Sequence, residues 1–298
     1  MAMFNKVKHS IIHREPLLSS KRFVDEYKTP AKPVVLTELS KTWPARSKWS
    51  FDYLCEVAGD SIVPVYSSAK ATGNQHQHAP AINITLREYL KLLNNGEKDL
   101  RLFFYNILNG APALLKDFTY PEIGLKFFRR LPVLFAGGKG AKVQMHYDID
   151  LADLLLCHFG GRKHVLLIPP EQTKYLYKVP FSFSALHEID LANPDFNRFP
   201  ALQELDAQVT VLNHGDVLYI PSGFWHYIIY EEAGFSMTLR AMPQSFKRRL
   251  AMLNNVFVTR LVEGFMRRAI GQKWNDRNER LAIVYTHQAL LKEAKLKL

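Results

Sequence analysis

Residues 143–150 read Val143-Gln144-Met145-His146-Tyr147-Asp148-Ile149-Asp150. Taken as a strand, this stretch sends alternate side chains to the same side, so His146 and Asp148 point together. Two such groups suit two ligands of one metal. A third must come from elsewhere, and Gly215-Asp216-Val217-Leu218-Tyr219-Ile220-Pro221-Ser222-Gly223-Phe224-Trp225-His226 supplies it. There a buried strand, Val217 to Pro221, runs into a tight turn that presents His226. Two histidines and one carboxylate make the facial triad that leaves positions open on iron(II) for co-substrate and oxygen.

By itself, His-x-Asp also fits a strand-end histidine hydrogen-bonded to a neighbouring carboxylate, and the distant segment ending in His226 decides between the two readings. Asp150 shares the face of Asp148 and competes for the metal; Asp148 is preferred as the closer neighbour of His146. The pair His76 and His78 has ligand-like spacing but lies in a polar loop, where solvated histidines are the rule. His158 and His164 flank the Gly160-Gly161 turn within an apolar stretch and read as packing residues, and His214 lies in a turn.

Around these segments, residues from about 126 to 243 read mostly as strand. Turn signals separate them at Gly137-Gly138, Gly160-Gly161, Pro169-Pro170, His214-Gly215-Asp216 and Pro221-Ser222-Gly223. Short apolar strands so spaced predict a sandwich or barrel. Before them the texture is mixed. Val34 to Leu36 and Ile62 to Val65 read as strands, and Thr85-x-x-Glu88 is a capping box. It opens a helix with Leu86, Tyr89, Leu90 and Leu93 on one face, closed by Asn95-Gly96.

After about Ser245, Leu250, Leu253, Val256, Phe257, Leu261 and Phe265 recur at helical spacing, and a second helical stretch follows Asp276. An apolar stripe of this kind must cover the core or pair with another chain. The expected organisation is a β domain with its N-terminal elaboration over 1–243 and a basic helical region over 244–298.

Composition is that of a folded globular protein, with 47% hydrophobic residues in 298. There is no apolar run long enough to span a bilayer and no secretory h-region, so a membrane protein is not expected. Only Cys55 and Cys157 occur, both in apolar segments, which predicts a reducing compartment and a cytoplasmic protein. The net charge is +11, and from Lys247 onward twelve Lys/Arg stand against four Asp/Glu. That basic end reads first as the solvated face of amphipathic helices and second as a surface for an acidic partner or nucleic acid.

The ordered set of His146-Tyr147-Asp148, then Gly161-Arg162-Lys163-His164-Val165-Leu166-Leu167-Ile168-Pro169-Pro170, then the segment ending in Trp225-His226 resembles the JmjC-related, cupin-like 2-oxoglutarate oxygenases. The resemblance is clearest from about 130 to 243. It implies a mainly β double-stranded β-helix (a jelly roll) with flanking helices and a C-terminal helical tail, binding Fe(II) and 2-oxoglutarate. It also implies that Lys163 pairs with the far carboxylate of the co-substrate.

Some positions depart from the family pattern. Val143 stands where a threonine is usual, and the spacing from Asp148 to Lys163 is longer by two residues. A tyrosine of an earlier strand falls on Phe103, with Tyr105 two residues on and facing the same way, either as the replacement for its hydroxyl or as an ordinary barrel-packing aromatic. Arg240 stands near a co-substrate-side position and is expected to meet a carboxylate or reach the rim. The activity implied is hydroxylation of a protein or peptide side chain. An RNA base or small molecule is the alternative target, and a non-catalytic metal-binding module the alternative class. The tail is the expected homodimer element.

Overall fold

The computed structural model describes residues 2–70, 80–243 and 245–296; His76 and His78 lie outside the described residues. Among the described residues, fourteen strands form two sheets. The smaller runs β1 (His9–Ile11), β11 (Ala207–Leu212), β10 (Lys163–Ile168), β13 (Trp225–Tyr230), β8 (Lys142–His146). The larger runs β2 (His13–Glu15), β3 (Val34–Leu36), β12 (Val217–Ile220), β9 (Asp153–Phe159), β14 (Gly234–Ala241), β7 (Val133–Gly137), β6 (Leu100–Asn106), β4 (Ile62–Ser67), β5 (Ile82–Thr85). The central pairings are antiparallel, and only the short β1 and β2 join in parallel.

Strand alternation sorts the side chains into three apolar layers. From β9, Leu154 and Leu156 enter the layer between the sheets, where Val165, Leu167, Leu218, Ile220 and Ile228 meet them. Leu155, Cys157 and Phe159 point the opposite way, into a layer closed by the N-terminal helices. Trp225, Tyr227 and Ile229 of β13 leave through the outer face of the small sheet and join Leu166 and Ile168. A sheet buried on both faces explains why these strands read as continuous apolar runs rather than as an alternation.

The capping box forms as the sequence predicts. Thr85 accepts from the Glu88 amide, the Glu88 carboxylate accepts from the Thr85 amide, and the helix Leu86–Asn94 buries Leu86, Tyr89, Leu90 and Leu93. At the C-terminus the helical path from Phe246 ends at Gly271, whose φ of +63° suits glycine. The last helix, Gln272–Leu296, packs on the core: Ala282 is fully buried and Tyr175 donates to Glu293 at 2.6 Å. The preceding helical path instead leaves Phe246, Leu250, Leu253, Phe257, Leu261 and Phe265 exposed. One half of the tail therefore covers the core while the other presents its apolar stripe to solvent. No helix among the described residues is long and apolar enough to cross a membrane.

Candidate active site

The two sheets open at one end into a pocket of about 690 Å³, its open mouth included, whose lining holds His146, Asp148, Lys163, His226 and Arg240. His146 closes β8 and lies directly across from His226 on β13. Each histidine donates its Nδ1–H to the carbonyl two residues earlier, His146 to Gln144 at 2.7 Å and His226 to Phe224 at 3.3 Å. That bond fixes the tautomer and turns Nε2 into the pocket, where it is free to act as a metal ligand. Both Nε2 atoms stand 3.9 Å from Asp148 Oδ1, and the three donors form a compact ligand group. A first-row divalent ion bonds such atoms at about 2.0–2.2 Å, so modest closure of these 3.9 Å spans would let one ion reach all three donors. The donor set is that of a two-histidine, one-carboxylate centre with open positions.

The intervening Tyr147 packs the other way, edge-on to Trp225 and Phe183, as strand alternation requires. Asp150 stands apart from the ligand group. Arg240 Nε donates to its Oδ2 at 2.8 Å, and Nη2 donates to its Oδ1 at 2.5 Å. The same Nη2 reaches Asp148 Oδ2 at 2.9 Å. Desolvation would raise the Asp148 carboxyl, but Arg240, with His226 and His146, outweighs it and holds the group at about 2. Asp148 is thus ionised and oriented before any metal arrives. Arg240 does meet carboxylates, those of the protein's own Asp148 and Asp150, and it lines the same pocket as Lys163.

Lys163, the first residue of β10, is 1% exposed. Its Nζ donates to Ser236 Oγ at 2.7 Å and lies 4.4 Å from the centre of the Tyr230 ring. Among the described residues no carboxylate pairs with it, and burial lowers it to about 7. An ammonium buried in a pocket without a counter-ion is suited to a carboxylate-bearing ligand. A 2-oxo dicarboxylic acid, chelating the metal at one end and meeting Lys163 at the other, therefore fits the residues present.

Tyr105 is not brought to the pocket. A register shift between Leu102 and Tyr105 interrupts the pairing of β6 with β7, and Phe104 there has φ +55°. Phe103 and Phe104 consequently both line the pocket, while Tyr105 turns into the N-terminal core and lies hard against Gly110. The simple two-residue alternation that put Tyr105 beside Phe103 fails at this bulge.

Several pocket residues carry weak sequence signals. Thr238 and Arg240 line it from β14, and with Ser236 farther along they form that strand's polar face, a spacing of two inside a wholly buried strand. Arg101 also lines the pocket and donates to the Lys142 carbonyl at 2.8 Å. His158, read from sequence as a packing residue, is fully buried and hydrogen-bonded at both ring nitrogens.

Residues 20–252 match the family model described as a cupin-like domain. Among curated proteins, the chain is 30% identical over 228 residues to a lysine-specific demethylase 8 of Xenopus tropicalis, covering 74% of this chain and 50% of that one. It is 27% identical over 256 residues to a JmjC domain-containing protein D of Dictyostelium discoideum, covering 76% and 54%. With a tRNA wybutosine-synthesizing protein 5 of Gallus gallus it shares 28% over 243 residues, covering 74% of each. The chain spans about half the length of the first of these relatives.

Proposed function

We propose, from the premise that this chain belongs to the cupin-like, JmjC-related family, that it is an Fe(II)- and 2-oxoglutarate-dependent oxygenase acting on a protein or peptide side chain. The observation that carries the reading is one pocket holding both the His146–Asp148–His226 group and the unpaired Lys163 ammonium. Bound together, iron(II) and 2-oxoglutarate supply the oxidation: dioxygen gives one atom to the target as hydroxyl and one to the succinate formed as carbon dioxide leaves.

The chain's own residues orient and exclude. His146, Asp148 and His226 would hold the metal, with pocket space beside them for co-substrate and target. Arg240 keeps Asp148 Oδ2 occupied, so that Oδ1 is the atom offered to the metal. Lys163 fixes the far end of the co-substrate by a charge-assisted bond in an apolar wall of Leu154, Leu156 and Ile228. The aromatic cluster of Phe103, Phe104 and Phe135 lies on the side of Arg240. It would shield the reacting C–H bond from water.

The reading is tested by anaerobic titration of Fe(II)-loaded protein with 2-oxoglutarate. A weak visible charge-transfer band should appear, and should be lost in Lys163→Ala at the same co-substrate concentration. Iron bound with no band at any concentration leaves a metal-binding cupin of another chemistry.

One observation favours a second target class. The tRNA wybutosine-synthesizing relative is matched along 74% of its own length, and the C-terminal region carries a surplus of Lys and Arg. Tight tRNA binding that collapses with added salt would move the target from protein to RNA. The exposed stripe from Phe246 to Phe265 supports pairing with a second copy, and the two unpaired cysteines are in keeping with a cytoplasmic setting.

A further inference from the structure

We propose that Ser236 and His158 are positioning residues that aim the Lys163 ammonium at the distal carboxylate of the co-substrate, and so set the preference for a dicarboxylate over a 2-oxo monoacid. The inference rests on reading the pocket as a 2-oxo acid site.

Four groups form a chain whose hydrogen bonds all run one way. Lys163 Nζ donates to Ser236 Oγ at 2.7 Å. Ser236 lies 2.9 Å from His158 Nδ1, and His158 Nε2 lies 3.0 Å from the Gly161 carbonyl. A carbonyl can only accept, so Nε2 carries the proton. In the neutral ring Nδ1 is then an acceptor, and the Ser236 hydroxyl must donate to it. With its hydrogen committed to His158, Ser236 Oγ turns lone pairs toward Lys163. Successive bonds of this sense also polarise one another.

The fold fixes every link. Ser236 and His158 are directly paired across β14 and β9. Lys163 comes from the facing sheet, so its bond to Ser236 spans the sandwich. The Gly161 carbonyl is presented by a turn with φ +69°, where a Cβ would come within 2.5 Å of the Ala233 carbonyl oxygen. His158 is kept neutral by burial, and next by the charge of Lys163.

A neutral relay matters for the ligand. A carboxylate in the place of His158 or Ser236 would pair with Lys163 and cancel the attraction meant for the co-substrate. A wholly apolar wall would leave a long, flexible side chain to settle on the Tyr230 face, 4.4 Å away. The Ser236–His158 pair directs the ammonium without neutralising it. A 2-oxo monoacid has no group that reaches Lys163, so its binding is indifferent to the relay.

The test uses the 298-residue chain loaded with Mn(II) and equilibrium calorimetry with two probes, 2-oxoglutarate and 2-oxobutyrate. Ser236→Ala should weaken 2-oxoglutarate by about 10- to 100-fold, the loss of a hydrogen bond to a charged group. Its 2-oxobutyrate and Mn(II) binding should stay as in the parent. Ser236→Thr, which keeps the hydroxyl, should restore most of the dicarboxylate affinity. Nitrogen NMR of the parent should show His158 as the neutral Nε2–H tautomer at pH 7, a signature that Ser236→Ala should perturb. Equal 2-oxoglutarate affinity in parent and Ser236→Ala, or parallel loss for both acids, overturns the relay alone. Parent protein that binds neither acid removes the reading of the pocket and the relay with it.

Discussion

Arg240 Nη2 donates to Asp148 Oδ2 at 2.9 Å, on the carboxylate whose other oxygen faces the two ligand histidines. Arg240 is 3% exposed and simultaneously grips Asp150, so one buried fork orders both aspartates. Arg240→Lys keeps the charge but not the fork. Loss of such an outer partner should lower metal affinity by about 10- to 100-fold. Mn(II) calorimetry checks this, and unchanged affinity would reduce Arg240 to a structural pair.

Asp148→Asn and Asp150→Asn separate the two acids that compete in the sequence. Asp148 faces both histidines, whereas Asp150 faces Arg240. Asp148→Asn should abolish measurable Mn(II) binding, and Asp150→Asn should lower it only as far as Arg240 is loosened. The reverse order of effects would transfer the ligand role to Asp150.

The titration of Lys163 gives a signed pH dependence. Burial lowers it to about 7, so in the ligand-free protein the ammonium is charged below that pH and neutral above it. A dicarboxylate favours the charged form. Above pH 7 its binding should therefore take up a proton, and affinity should fall by up to about tenfold per pH unit. The neighbours stay neutral in this window, because burial depresses His158 and raises Tyr230. Calorimetry at pH 8 in buffers of different ionisation enthalpy reads the proton count, and zero uptake contradicts the assignment. Before ligand binds, the unfolded chain holds the extra proton between about 7 and 10.5. Stability from this group should therefore rise with pH across that range.

The proposed metal ligands were legible because two short segments carry them, and alternation need hold only from His146 to Asp148, past the register shift between Val143 and His146. The capping box was legible because all its parts lie within four residues. Tyr105 was not, because the β6 bulge at Phe104 breaks the two-residue period and no glycine or proline marks it. Ser236 and His158 were not, because pairing across β9 and β14 joins residues 78 apart in the chain. Tyr105 makes no hydrogen bond of ordinary geometry, so Tyr105→Phe should leave 2-oxoglutarate affinity unchanged. A clear loss in calorimetry would return its hydroxyl to the co-substrate.

The exposed stripe makes the last prediction. Phe246 is 74% exposed and Leu261 and Phe265 are each 69% exposed, with Leu250, Leu253 and Phe257 between them at spacings of three and four. The nineteen helical steps from Phe246 to Phe265 carry this face about 28 Å. Covering each Leu or Phe is worth about 1.5–3 kcal/mol before the costs of association. The last helix already lies on the core, so the proposed cover for its neighbour's stripe is a second copy, meeting the same face by two-fold symmetry. The parent should sediment at twice 34.3 kDa. Leu261→Glu with Phe265→Glu should sediment as a monomer with metal affinity unchanged, since neither side chain lines the pocket. A monomeric parent would end the dimer reading, and a dimeric double variant would move the interface elsewhere.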